Sequence, residues 1–158
     1  MPIDRAHLGR SFGPYVFLVG LQHVKDFACV TGGGVPGHVF SAAPDHALPL
    51  TFDEDAARKG PHGGIVAPPA FATAFAIEPF AKACSDPALA VNVLRLVHGE
   101  QDLELLKPIR PGDVLTTTGE ITRIQERGNL DFLEVSSTTR NQHGRVVVRG
   151  VWTAIVRN

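Results

Sequence analysis

In the second half of the chain, apolar and polar residues alternate with the period of a β-strand. Segments rich in Val, Thr and Leu run over Val91–Val97, Gln101–Leu106, Val114–Ile124, Phe132–Arg140 and Val146–Val156, and each predicts a strand. Turn-forming words separate them: Pro111-Gly-Asp113, Glu126-Arg-Gly-Asn129 and Asn141-Gln-His-Gly144. The last three strands are long and joined by such turns, so they predict an antiparallel meander.

The first half has a different rhythm. Pro14–Val19 predicts a strand, and Leu21–Val30 predicts a helix with Val24, Phe27 and Ala28 on one face. Phe52–Arg58 predicts a short helix, with Asp53, Glu54 and Asp55 favourable near its N-terminus. Pro68–Cys84 is the clearest helical stretch, rich in Ala and Phe and charged only at Glu78 and Lys82. Pro79 lies inside it, so a kink or an early end near Glu78 is expected. A helix apolar around most of its circumference belongs in a core. The fold class that follows is α+β, a sheet wrapped around one buried helix.

Composition narrows the classes. At 158 residues the chain predicts one domain, residues 1–158, large enough to build its own core. Hydrophobic residues at 44% and charged residues at 20% are ordinary globular usage and exclude a disordered protein. Fifteen Lys and Arg against sixteen Asp and Glu leave a net charge of −1, with no basic cluster for nucleic acid or an anionic membrane. No apolar run approaches the ~18 residues of a transmembrane helix, and Met1–Arg10 does not read as a secretory signal. Cys29 and Cys84 fit no metal or CxxC spacing, so free thiols of a cytoplasmic protein are the default reading and a disulfide the lesser one. HxH, HxxxH and ExxH patterns are absent, so no metal is expected, and no cofactor. The 16 Gly and 12 Pro concentrate between Thr31 and Pro69, where the backbone must take demanding turns.

Four words in that order resemble the MaoC-like hydratase/dehydratase family, and most closely its N-terminal MaoC dehydratase domains. They are Phe52-Asp-Glu-Asp-Ala-Ala57, Gly63-Gly-Ile-Val-Ala-Pro-Pro-Ala-Phe71, His98-Gly-Glu-Gln101 and Lys107-Pro-Ile-Arg-Pro-Gly-Asp113. The resemblance covers roughly residues 10–156. It implies a hot-dog fold, a curved antiparallel sheet around one long central helix, working as a dimer or tandem pair. It implies an acyl group carried as a thioester on CoA or acyl carrier protein, hydration of a trans-2-enoyl thioester, and a place in fatty-acid metabolism.

That reaction needs a base to activate water, an acid for the α-carbon, and donors for the thioester oxygen. Catalytic relatives supply Asp and His from a Gly-Asp-x-Asn-Pro-x-His segment. Counted from the N-terminal side, the matching window here is Gly32-Gly-Gly-Val-Pro-Gly-His38, with Gly33 in the Asp position and Val35 in the Asn position. Counted from Asp53, it is Asp45-His-Ala-Leu-Pro-Leu-Thr51, with His46 in the Asp position and Thr51 in the His position. The registers do not coincide, which points to an insertion in the loop. One reading keeps His38 as acid/base, with Asp45 or Asp53 reaching it, in a stand-alone (R)-specific enoyl-CoA hydratase. The favoured reading is an acyl-binding subunit with a degraded motif, paired with itself or with a catalytic MaoC-like subunit.

The resemblance places the oxyanion donor near Ala67-Pro68-Pro69, and proline has no N–H. Gly63, Gly64 or Ala67 would then donate. The Phe71, Phe75 and Phe80 group either lines an acyl tunnel or packs the core. His62-Gly-Gly64 resembles a hot-dog thioesterase motif, but Phe71 stands where that family keeps its helix acid and the nearest helix carboxylate is Glu78. His62 reads more simply as a loop residue. His98 reads as a residue that hydrogen-bonds to fix a strand end, or alternatively as a contact near a dimer seam or pocket.

Overall fold

The computed structural model describes residues 2–32 and 49–157. Elements follow in the order β1 (Ser11–Leu18), α1 (Leu21–Gly32), α2 (Pro49–Phe52), α3 (Glu54–Lys59), α4 (Thr73–Ala76), α5 (Glu78–Ser85), β2 (Leu96–Leu105), β3 (Val114–Arg127), β4 (Leu130–Arg140) and β5 (Val146–Arg157). The sheet runs β1-β3-β4-β5-β2. The expected meander is present: β3 pairs antiparallel with β4, and β4 with β5. No helix among the described residues is long and apolar enough to cross a membrane.

Two expectations need correction. The separate strands Val91–Val97 and Gln101–Leu106 are one strand, β2, paired antiparallel with β5 through a register shift between His98 and Glu100. A bulge absorbs the irregularity that read as a break. Val93–Arg95 is a 3₁₀ turn capped by the Asn92 side chain, not strand. The stretch Pro68–Cys84 is also not one long helix. A 3₁₀ turn over Pro69–Ala72 leads into α4 and then α5, with the break at Ile77. Pro79 stands at the start of α5, where a missing N–H leaves no bond unmade.

The chain divides into two compact units. The first comprises Met1–Val16, Ala72–Leu106 and Thr116–Asn158. In it α4 and α5 lie against β4, and Trp152, Leu133, Val135 and Phe75 are buried. The inward row of β4 carries Asp131, Ser137 and Thr139 as well as Leu133 and Val135. Each buried polar side chain has a partner. Asp131 Oδ2 accepts from Ile3 N at 3.0 Å, Ser137 Oγ from Trp152 Nε1 at 2.9 Å, and Thr139 and Thr117 share a 2.8 Å hydroxyl bond. The second unit comprises Phe17–Phe71 and Lys107–Leu115. Val24, Ala28, Ala57, Val66, Phe71 and Ile109 are buried within it.

Candidate functional site

The second unit holds the glycine- and proline-rich approach to the helical segment. Asp53 caps α3, its Oδ1 accepting from Asp55 N and Ala56 N at 2.9 and 3.0 Å. Asp53 is therefore engaged as a cap rather than held out as a base. Lys25 Nζ donates to Glu54 Oε1 at 2.6 Å and holds that carboxyl below its ordinary value, so Glu54 is ionised and paired. Between α3, the Gly63–Ile65 loop and the Arg110-Pro111 turn lies a cleft of about 290 Å³, with Glu54, Arg58, Gly64 and Arg110 on its wall.

The backbone donors at this place can be accounted for one by one. Gly63 N donates to Gly60 O at 3.1 Å, Val66 N to Leu50 O at 3.1 Å, and Ala67 N to Ile109 O at 2.8 Å. Pro68 and Pro69 have no N–H. Of the three expected donors, Gly64 alone keeps an N–H without a partner among the described residues. Ala67 is corrected from donor to strut: its N–H ties the loop to the Lys107–Asp113 turn. That turn is fixed by Asp113 Oδ2 accepting from Arg110 N at 2.8 Å. The Arg110 guanidinium has no ion pair among the described residues and stands next to Gly64. A free amide beside a free guanidinium can receive a polarised or anionic oxygen. Composition gave no signal for Arg110; only the fold brings it to the glycine loop.

Phe71 is buried, with T-shaped contacts to Phe17 and Phe27 at 6.1 and 5.4 Å between centroids. It fills the position where a thioesterase would need an acid. Glu78, the nearest helix carboxylate, is ion-paired with Lys82 at 3.5 Å. His62 is exposed in the loop, as the simpler reading had it.

In the first unit Phe75 is buried, and Phe80, His98 and Trp152 form a ring cluster. His98 lies 5.2 Å from Phe80 and 5.9 Å from Trp152, centroid to centroid. His98 is exposed and its imidazole has no hydrogen bond among the described residues, which corrects the side chain's expected role in fixing a strand end. It sits on an aromatic floor at the bulge of an edge strand.

His38 and Asp45 lie outside the described residues. Among the described residues no group of His, Cys, Asp and Glu is arranged to hold a metal ion. Both cysteines are free and buried, and burial pushes the Cys84 thiol up to about 11.

The family model described as "FAS1-like, dehydratase domain region" matches residues 6–149. A UPF0336 protein of Streptomyces coelicolor is 29% identical over 157 residues, spanning 99% of this chain and 95% of that one. The HadBC (3R-hydroxyacyl-ACP dehydratase) complex from Mycobacterium tuberculosis superposes with a TM-score of 0.74 at 24% identity, over 98% of this chain and 99% of that one. The MaoC-like dehydratase from Rhodospirillum rubrum superposes with a TM-score of 0.67 at 24% identity, over 96% and 92%. At that identity the two structures show the fold, which is the hot-dog fold expected from the sequence.

Proposed function

The chain belongs to the family of FAS1-like dehydratase domain regions, and we propose that it serves there as an acyl-thioester-binding subunit. It holds an acyl group carried on CoA or acyl carrier protein, while a catalytic MaoC-like partner supplies the Asp and His that (de)hydrate it. The observation that carries this reading is the state of the helix approach. Two prolines and the Ala67–Ile109 bond remove the donors expected there, leaving Gly64 beside Arg110. Two such donors suffice to seat a thioester carbonyl, and the one carboxylate that lines the cleft among the described residues, Glu54, is held by Lys25 rather than free to act as a base. The substituted Asp positions of both sequence windows, Gly33 and His46, point the same way.

The partner is either a second copy or a distinct subunit, and residues 1–158 act as one half of the pair. Support comes from β2, an edge strand of ten residues that exposes Leu105. A strand with an unpaired edge is a template for another chain. The HadBC structure of the same fold is itself a complex.

The test uses crotonyl-CoA and a longer enoyl-CoA, following loss of the conjugated thioester absorbance alongside binding by calorimetry. Binding without turnover is the expected result. Turnover abolished by His38→Ala would replace this reading with the stand-alone hydratase. Release of free thiol would replace it with a thioesterase.

A further inference from the structure

The outer face of the sheet carries a second concavity, independent of the thioester reading. It is a groove of about 700 Å³ where the turn before β2 meets the paired ends of β4 and β5. Cross-strand register puts Val97 opposite Ile155 and Leu130 opposite Arg157, so these four side chains share the face away from Trp152 and Ala154. Leu94 lines the same groove, 94% exposed, and Val97 is 62% exposed. Large apolar side chains this bare, on one groove, mark a binding surface rather than random surface composition.

The charge on the groove has one sign. Arg95 and Arg157 line it, Asn129 adds an amide, and no carboxylate lines it. Neither arginine has an ion pair among the described residues. Both also border an adjoining cavity of about 220 Å³ that holds Asp131. Asp131 is buried and accepts from Ile3 N at 3.0 Å, and it lies beyond ion-pair distance of either guanidinium. Two unneutralised guanidiniums beside an apolar floor are complementary to a ligand with an anionic head and a hydrocarbon tail. The volume falls within the range of small-molecule sites, roughly 300–1,000 Å³.

We propose that this groove is a second acyl site that binds a single-chain fatty carboxylate, its head between Arg95 and Arg157 and its tail over Leu94, Val97, Leu130 and Ile155. The tail needs the apolar floor and the head needs the arginines, so neither half of the ligand binds well alone.

The full chain is titrated by calorimetry with dodecanoate below its micellar range, with dodecanol and acetate as half-ligands. Dodecanoate binds, and each half-ligand binds more weakly by roughly tenfold or more. Arg95→Gln/Arg157→Gln and Leu94→Asp each weaken dodecanoate by a similar factor, with far-UV circular dichroism and crotonyl-CoA binding unchanged. Failure to bind dodecanoate, equal binding of dodecanol, or binding indifferent to these variants overturns the proposal. The last result would place the fatty acid at the thioester site instead. A change of sedimentation coefficient in ligand-free Leu94→Asp would also overturn it, because the groove would then be covered by a second copy.

Discussion

Gly119→Ala tests how the helical segment sits on the sheet. A Cβ at Gly119 of β3 would stand 2.4 Å from Pro79 Cβ, 3.0 Å from Pro79 Cγ and 2.8 Å from the Ser136 carbonyl oxygen. Carbon atoms at rest prefer about 3.5–4.0 Å. The proline ring cannot swing aside, and Ser136 is held in the ladder opposite Glu120. Relief therefore requires α5 to lift by about 1 Å, loosening the buried contacts of Phe80 and Ala83. Overpacking of this kind costs about 1–3 kcal/mol, and a contact this short against rigid neighbours belongs at the upper end. Restricting the unfolded chain by replacing glycine returns about 0.4–1 kcal/mol, so the net loss is about 2 kcal/mol. At about 2–4 °C per kcal/mol for a chain of this size, Tm falls by roughly 4–8 °C. Urea unfolding followed by circular dichroism and by Trp152 fluorescence reads the loss as a shift in midpoint. Pro79→Gly removes the opposing ring, so the cost of Gly119→Ala shrinks in that background. A variant within about 0.5 kcal/mol of the parent, or an undiminished cost in the Pro79→Gly background, refutes the close approach.

Ser137→Ala leaves the buried Trp152 Nε1–H without its acceptor and lowers stability by about 1–3 kcal/mol, read as a urea midpoint shift at constant slope. Asp53→Ala removes a cap that satisfies two backbone donors and costs about 1 kcal/mol, with faster amide exchange confined to α3. The Cys84 thiol has its folded value raised from 9.0 to about 11. Between those two pH values the unfolded chain loses the proton and the folded chain keeps it. The Cys84 contribution to stability therefore falls as pH rises through that window and is flat below it, which Cys84→Ala removes from a stability–pH profile. In the native state at pH 8, Ellman's reagent labels neither cysteine at the rate of a free thiol.

The meander was legible because alternation on β4 is nearly strict and the turns carry glycine where the backbone needs it. Gly128 and Gly144 have φ of +62° and +72°. The four words resembling the dehydratase family located the glycine loop and its turn correctly. Their chemistry was less legible. Ala67 read as a donor because its partner, Ile109, belongs to a segment far along the chain, and a sequence does not display which carbonyl reaches which amide. His98 read as a hydrogen-bonding residue, whereas Phe80 and Trp152 form the surface beneath it. Arg110 was hidden inside a word valued for its Pro-Gly turn.

The sequence by itself determined what neighbouring residues encode. This includes the strand period, the turn positions, the helix break near Glu78 and the buried character of the Ala/Phe-rich segment. Those features follow from local sterics and from which face of an element can leave water. The tertiary structure decided what depends on distant partners. It joined two apparent strands into β2 through a bulge against β5, set Pro79 on Gly119, gave Ala67 N–H to Ile109, and left the Gly64 N–H and the Arg110, Arg95 and Arg157 guanidiniums without partners among the described residues. Hydrogen bonds and ion pairs are satisfied across space, so which polar groups remain free to meet a ligand is settled only when the chain has packed.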